Sequence, residues 1–595
     1  MHHTFHIPVL GLAFSVDSPI KVAQYGISSV VSIVDDELIE NMRKYHAVNF
    51  SEPYEPIVKN EEDARARRIT SYLNLLNAIV SKQIADLRGS DLRTNPDVQK
   101  YFRLLPTGSE GKSIYACLLA EKDENRRSEL EERVKSYIIA GAIDVNIMAK
   151  VDKLNADMKT KLADPLFSDA SAALRGFANS NLSSSVVLSA GLNPRLYHYL
   201  SELPAFLPDK NGRINKHVVL KVSDYRSALI QAKYLAKKGI WVSEFRVESG
   251  LNCGGHAFAT DGYLLGPILE EFKERRNDLQ QELMGLYVSA LQERGLANPP
   301  LKAIKLTVQG GIGTAAEQQF LLDHYQVDGT GWGSPFLLVP EATTLDPVTL
   351  DLLAEATADD FYISGASPLG VPFNNFRKSS AEKNRLDRIA QGRPGAPCTK
   401  KYLVSNTEFT EEPICTASRK YQSRKIQELT DGQLSKDEFE KAYNAVLEKT
   451  CLCEGLATSA YLKYGMHVLK INTAVSICPG PNLSYFDRVY SLEEMVSHIY
   501  GRCDLLKNIE RPSMFINELK LYIEYIEKQF QEYVDNMDIK KKKYIDKFLV
   551  QIRSGVDYYQ ELSTKFQAFP AINSESFLTS LLSLKERLQL LVVKV

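Results

Sequence analysis

The residues best suited to chemistry lie in two glycine-rich turns. The first, Gly310-Gly311-Ile312-Gly313-Thr314, runs into a helical stretch beginning Ala315-Ala316-Glu317; the second is Gly329-Thr330-Gly331-Trp332-Gly333-Ser334. Glycine lets backbone approach an anion closely, and free N–H groups at a helix N-terminus favour negative charge, so the two turns together predict a phosphate-bearing ligand. Either turn alone does no more than reverse the chain. A third turn, Gly250-Leu251-Asn252-Cys253-Gly254-Gly255-His256, presents an imidazole, the side chain suited to moving protons near neutral pH. The plainer role of His256 is to cap its loop.

Sulfur forms the last group, with six of the eight cysteines after residue 390. Cys398 in a Gly/Pro loop, Cys415 and the pair Cys451-Leu452-Cys453 can supply four thiolates to an iron–sulfur cluster or zinc, with Cys478 as a replacement ligand. Their spacing departs from the usual separation of about two to four residues, so free thiols are the competing reading.

The elements that must position these turns are short β-rich runs alternating with helical patterns. The runs are Val9–Ala13, Ser29–Ile33, Asp144–Met148, Val186–Ser189, Val218–Lys221, Trp241–Val247, Ile304–Val308 and Gln326–Gly329. Eight such strands predict an α/β fold, a (β/α)8 TIM barrel, because the glycine turns then follow the seventh and eighth strands, where barrels commonly hold phosphate. An open doubly wound sheet would carry its glycines after the first strand. Residues 35–141 exceed one barrel helix, and Ala64–Leu87 and Asn125–Tyr137 show helical spacing, so they read as a helical insertion. The expected organisation is a barrel over 1–345, a cysteine-containing cap or accessory unit over 346–490, and a mostly helical region over 491–595. In the last, Phe515–Tyr533 and Ile545–Tyr559 have the three-to-four spacing of a bundle core.

Composition narrows the function classes. A chain of 595 residues with 44% apolar content holds ample core material, and Lys+Arg 72 against Asp+Glu 74 creates no global field for nucleic acid or anionic membrane. The lysines Lys540–Lys543 read as a solvated helix face. No apolar run is long enough to span a bilayer. Ile7 to Val16 lacks the preceding basic residue and the cleavage site of a secretory signal and reads as a barrel strand. Sparse, clustered cysteines fit a reducing, cytoplasmic setting.

The Gly-Gly-His loop, the Gly310-Gly311-Ile312-Gly313 turn, and Gly333-Ser334-Pro335-Phe336-Leu337 followed by Pro340-Glu341 resemble the nitronate monooxygenase (2-nitropropane dioxygenase) and FMN-dependent enoyl reductase group of flavin barrels. Ile7-Pro8-Val9-Leu10-Gly11-Leu12-Ala13 is similar to that group's first βα unit, and Val219-Leu220-Lys221-Val222-Ser223 to the unit before the histidine loop. The resemblance covers about residues 5–345, the insertion excluded. It implies FMN, with Gly310, Gly311, Gly333 and Ser334 at its phosphate, Gly11 and Ala13 beside the ring system, and His256 near flavin and substrate. Gly313 and Lys221 complete the candidate cofactor contacts. Where the group has Glu-Ala before Gly-Gly-His, this chain has Asn252-Cys253, so the carboxylate expected there is missing.

The expected activity is therefore that of an FMN-dependent oxidoreductase acting on a small organic or acyl substrate. NAD(P)H or a protein donor would supply electrons, and His256 would assist proton transfer, with Lys150, Lys221 and Cys253 as the next proton donors. The alternatives are a catalytically idle barrel that docks a partner and, with less support from charge, a flavin-dependent RNA-modifying enzyme.

Overall fold

The computed structural model describes residues 3–147, 152–156, 163–189, 191–254, 261–300, 303–466, 472–506, 510–536, 539–566 and 573–593. Eight parallel strands close on themselves: β1 (Phe5–Ile7), β2 (Ser28–Ser32), β3 (Ile143–Asn146), β4 (Ser184–Leu188), β5 (Lys216–Val222), β6 (Val242–Glu248), β7 (Lys305–Gln309) and β8 (Gly329–Gly331). Each strand pairs with its neighbours in sequence order, and β8 returns to β1 through Phe5↔Thr330 and His6↔Gly331. The chain is a (β/α)8 barrel, as the eight runs predict.

Two strands sit elsewhere than expected. The first is Phe5–Ile7 rather than Val9–Ala13, because Pro8 has no N–H for the ladder and the Leu10 amide, two residues on, donates to Ser15 Oγ at 2.7 Å, turning the chain out of the sheet. The last is Gly329–Gly331 rather than Gln326–Gly329, since Gln326 takes a left-handed φ of 55° and is still in the turn.

Between β2 and β3 lie the helices Asp36–Asn49, Ala64–Gly89, Pro96–Leu104, Glu110–Ala120 and Glu124–Tyr137. The longest packs back on the barrel, where the buried Tyr72 hydroxyl donates to Val16 O at 2.7 Å. After β8, a two-stranded antiparallel sheet, β9 (Phe361–Ser364) and β10 (Phe373–Phe376), accompanies a run of helices that includes Leu452–Lys463. Three long helices close the chain, Met514–Asn536, Ile539–Lys565 and Ser574–Val593. They bury Tyr522, Phe548, Ile552 and Tyr559, and a Cβ at Gly266 would lie 2.4 Å from the Tyr559 ring, so only glycine permits that helix contact. Among the described residues no helix is long and apolar enough to cross a membrane.

The barrel interior is charged, where branched apolar layers are the norm. Val30, Val187 and Val219 form one small apolar cluster with Val9. Next to it Arg246 on β6 bonds Glu244 (2.8 Å) and reaches Asp144 on β3 (3.4 Å), with two strands between them around the wall, so the side chains meet across the interior. Thr307 Oγ1 donates to Glu244 at 2.5 Å and completes the network.

Candidate active site at the barrel mouth

The strand ends at the C-terminal rim carry a second polar network. Glu248, the last residue of β6, accepts from Lys221 Nζ (3.1 Å), Asn252 Nδ2 (2.6 Å) and Gln309 Nε2 (2.8 Å), all on one carboxylate oxygen. Asn252 thus donates to a carboxylate four residues earlier in the chain. Lys221 and Glu248 are largely buried, while Asn252 Oδ1 and Gln309 Oε1 are buried with no hydrogen-bond partner among the described residues. His6 projects toward the same interior beside Gly331 and Gln309; burial and then the Arg246 charge hold its imidazole well below the ordinary value, so it is neutral.

The two glycine turns differ from expectation in one respect. Gly310 and Gly311 have φ of 101° and 80°, conformations glycine alone adopts freely, and they press against Asn252 and Leu251. The helix Ala315–Asp323 that follows is already capped, because Thr314 Oγ1 accepts Glu317 N–H and Glu317 Oε2 accepts Gly313 N–H at 2.8 Å. Arg511 closes the position from outside: its guanidinium bonds Glu317 Oε1 (2.7 Å), Gly311 O (2.6 Å) and Asn482 Oδ1 (3.0 Å), and a Cβ on Gly313 would stand 2.5 Å from it. Gly313 therefore does not offer its amide to a ligand. The N–H groups of Gly311, Gly333 and Ser334 have no acceptor among the described residues. Ser334 Oγ accepts from Gly480 N–H at 3.0 Å, which leaves its own proton to donate.

The segment 474–486 lies over this rim. Gly254 N–H donates to Cys478 O (3.2 Å), Cys253 Sγ approaches the same carbonyl at 3.6 Å, and Asn482 Nδ2 donates to Ile312 O (2.9 Å). Burial pushes the Cys253 thiol up to about 11, so it stays protonated and serves as a small packed residue. Gly11 packs on Phe14, and Ala13 N–H is taken by Leu456 O at 3.0 Å, which ties the first barrel turn to the helix Leu452–Lys463. His256 and Lys150 lie outside the described residues. The loop feet on either side of His256 are fixed by one side chain: Glu518 accepts from Ser249 Oγ (2.8 Å), Gly250 N–H (2.9 Å) and Leu265 N–H (2.8 Å).

All four candidate sulfur ligands are free thiols. Among the described residues no group of three His, Cys, Asp or Glu side chains is placed to hold a single metal ion.

The buried unpaired Asn252 Oδ1, the open amides of both turns and the Lys221–Glu248 pair form a donor and acceptor set that suits a polar anionic ligand. Sequence reasoning missed Glu248, Glu317, Arg511 and Glu518. The Thr-x-x-Glu spacing of Thr314 and Glu317 is a helix-capping signature that could have exposed Glu317, and Glu248 stands one residue beyond an expected strand. For Arg511 and Glu518, some 200 and 268 residues from their partners, the sequence holds no local signal.

No protein-family profile and no curated protein matches the chain. Among solved structures, it is similar to the enoyl reductase domain of MlnA from the macrolactin biosynthesis cluster of Bacillus amyloliquefaciens, at 14% identity over 64% of this chain and 86% of that one, TM-score 0.33. It is also similar to nitroalkane oxidase from Streptomyces ansochromogenes, at 10% identity over 84% and 95% of the two chains, TM-score 0.33. A third is an IMP dehydrogenase/GMP reductase-like protein from Corynebacterium glutamicum, at 12% identity over 57% and 65%, TM-score 0.21. The barrel assignment rests on the closed strand order of this chain.

Proposed function

We propose that the chain is a flavin-dependent oxidoreductase that holds FMN at the C-terminal mouth of its barrel and acts there on a small organic or acyl substrate. The observation that carries this reading is the pair of amide oxygens Asn252 Oδ1 and Gln309 Oε1, buried in the polar network at the strand ends with no hydrogen-bond partner among the described residues. A buried acceptor without a donor costs about 1–3 kcal/mol, and a ligand that offers an N–H or O–H removes that cost. Bound flavin supplies hydride or electron exchange with a substrate. In this reading the amides of Gly311, Gly333 and Ser334, with the Ser334 hydroxyl, bind phosphate. Lys221, held by Glu248, contributes a fixed positive charge, the segment 474–486 excludes water, and His256 carries the substrate's proton.

Flavin content of the purified full chain tests the reading. FMN released at close to one per chain is expected, with Ser334→Ala weakening retention by about 10-fold, the size of one lost hydrogen bond to a charged group. His256→Ala should keep the flavin and lower substrate-dependent turnover by about 10²–10⁴-fold, with NAD(P)H and a reduced protein donor each supplied as electron source. A chain that contains no flavin and takes up none on incubation with FMN overturns the proposal and leaves the idle, partner-docking barrel.

A further inference from the structure

Three consecutive carbonyls of the turn after β7 are each held by a side chain from beyond the barrel. Gly311 O accepts from the Arg511 guanidinium (2.6 Å), Ile312 O from Asn482 Nδ2 (2.9 Å) and Gly313 O from the His498 imidazole (2.9 Å). His498 stands in the last turn of the helix Leu492–Ile499, and its Nδ1 accepts Leu505 N–H at 3.2 Å, so the ring proton is on Nε2 and is donated to Gly313 O. Trp332, from the second glycine turn, and Phe486 meet the imidazole nearly at right angles, with ring centroids 5.9 and 5.7 Å away. Burial keeps the imidazole below the ordinary histidine value, in the neutral form that this bonding requires. Arg511 spreads its bonds over Gly311 O, Asn482 Oδ1 and Glu317 Oε1, and it and Glu317 are almost wholly buried.

A carbonyl that is held fixes an amide, because in a trans peptide the C=O of one residue and the N–H of the next point in opposite directions. Arg511 and His498 therefore turn the amides of Ile312 and Thr314 away from themselves, and neither amide has an acceptor among the described residues. The peptide between them, held by Asn482, sends Gly313 N–H to Glu317 Oε2 at 2.8 Å. Open amides leading into the helix Ala315–Asp323 suit an anion. A turn built on Gly310 and Gly311, with φ of 101° and 80°, is otherwise the most mobile kind of backbone, and ordering it on binding would cost affinity. The three donors order it beforehand.

We propose that His498 and Arg511 are positioning residues for a phosphate at the barrel mouth: by holding Gly313 O and Gly311 O they keep the Thr314 and Ile312 amides aimed at the anion. They thereby set the preference of the site for FMN over riboflavin, which lacks the phosphate. The inference rests on the flavin reading and assigns to the chain after the barrel a selectivity that the strands do not supply.

The test uses the full chain freed of flavin and measures its affinity for FMN and for riboflavin by the change in flavin fluorescence on binding. The unsubstituted chain should prefer FMN by about 100-fold, the scale of a phosphate held by charge-assisted hydrogen bonds. His498→Phe keeps a ring between Trp332 and Phe486 and loses the donor, so the preference should fall by about 10-fold. His498→Gln restores an N–H donor and should keep the preference within about 3-fold of the unsubstituted value. Arg511→Lys keeps the charge beside Glu317 without the fork that also spans Gly311 O, and should lower the preference by about 5-fold. Because the preference is a ratio of two affinities, a variant that merely folds poorly lowers both and leaves it unchanged. A preference unchanged in His498→Phe or in Arg511→Lys, or lowered as far by His498→Gln as by His498→Phe, overturns the proposal. Equal affinities for FMN and riboflavin in the unsubstituted chain also overturn it and leave the flavin reading standing, whereas a chain that binds neither removes both.

Discussion

Inside the barrel, two charged networks are stacked along the strands and finished differently. The deeper one, Asp144, Glu244, Arg246 and Thr307, pairs its charges across the interior, with the guanidinium bonded to both carboxylates. The one at the rim, Lys221, Glu248, Asn252 and Gln309, crowds three donors onto one carboxylate oxygen and leaves two buried amide oxygens, Asn252 Oδ1 and Gln309 Oε1, with nothing to accept from among the described residues. A network paired within itself is a device for holding strands together, and one with an unmet acceptor is built around something else. The deep layer should therefore govern stability, and the rim layer should govern what binds.

The largest expected effect comes from breaking the deep layer. Arg246→Met leaves two buried carboxylates without their cation and should destabilise the fold by about 3–5 kcal/mol, read from urea unfolding. If the loss is under 1 kcal/mol, the two layers are not distinguished by their role in stability. At the rim, Glu248→Gln removes the charge that holds Lys221. It should weaken FMN retention by about 10-fold, equivalent to about 1.4 kcal/mol, while changing unfolding free energy by less. A variant that unfolds readily but keeps its flavin would invert the comparison.

Smaller again is Asp144→Asn. Burial raises the Asp144 carboxyl above its ordinary value against the pull of Arg246, so the folded state holds this proton more tightly than the unfolded chain does. Stability from this group is therefore present at acid pH and is lost as pH rises from the unfolded carboxylate value, about 3.9, through the raised folded one. Asn at this position should flatten that part of the stability profile and shift stability at neutral pH by about 1 kcal/mol or less. Least of all, Asn252→Ala deletes an unmet acceptor together with one of the three donors to Glu248. Relief of the first offsets part of the loss of the second, so stability of the flavin-free chain should change by about 1 kcal/mol or less, with any larger effect confined to binding.

Much of the frame is legible in the residues alone. The eight strands follow from β-rich runs punctuated by glycine, and six of them, β2 to β7, sit within two residues of the expected start. The two misplaced strands are the shortest, where Pro8 and the left-handed Gln326 decide the ends and apolar content does not. Phe515–Tyr533 and Ile545–Tyr559 fall inside the helices Met514–Asn536 and Ile539–Lys565, since three-to-four spacing is a local property. The site is less legible. Glycine turns announce a place where backbone approaches an anion, but whether an amide is still free depends on side chains brought from elsewhere: Glu317 takes the Gly313 N–H and Arg511 packs over it. The charged barrel interior was equally hidden, because Asp144 and Arg246 become neighbours only when the sheet closes.

Glu518 shows how far the barrel depends on the chain that follows it. One carboxylate on the helix Met514–Asn536 pins Ser249, Gly250 and Leu265, the two ends of the loop that carries His256. Strand pairing needs nothing after Gly331, yet the shape of the mouth does. A fragment cut near residue 345 would retain every barrel strand and surrender the anchor of its own loop, so the natural unit of function is longer than the natural unit of architecture.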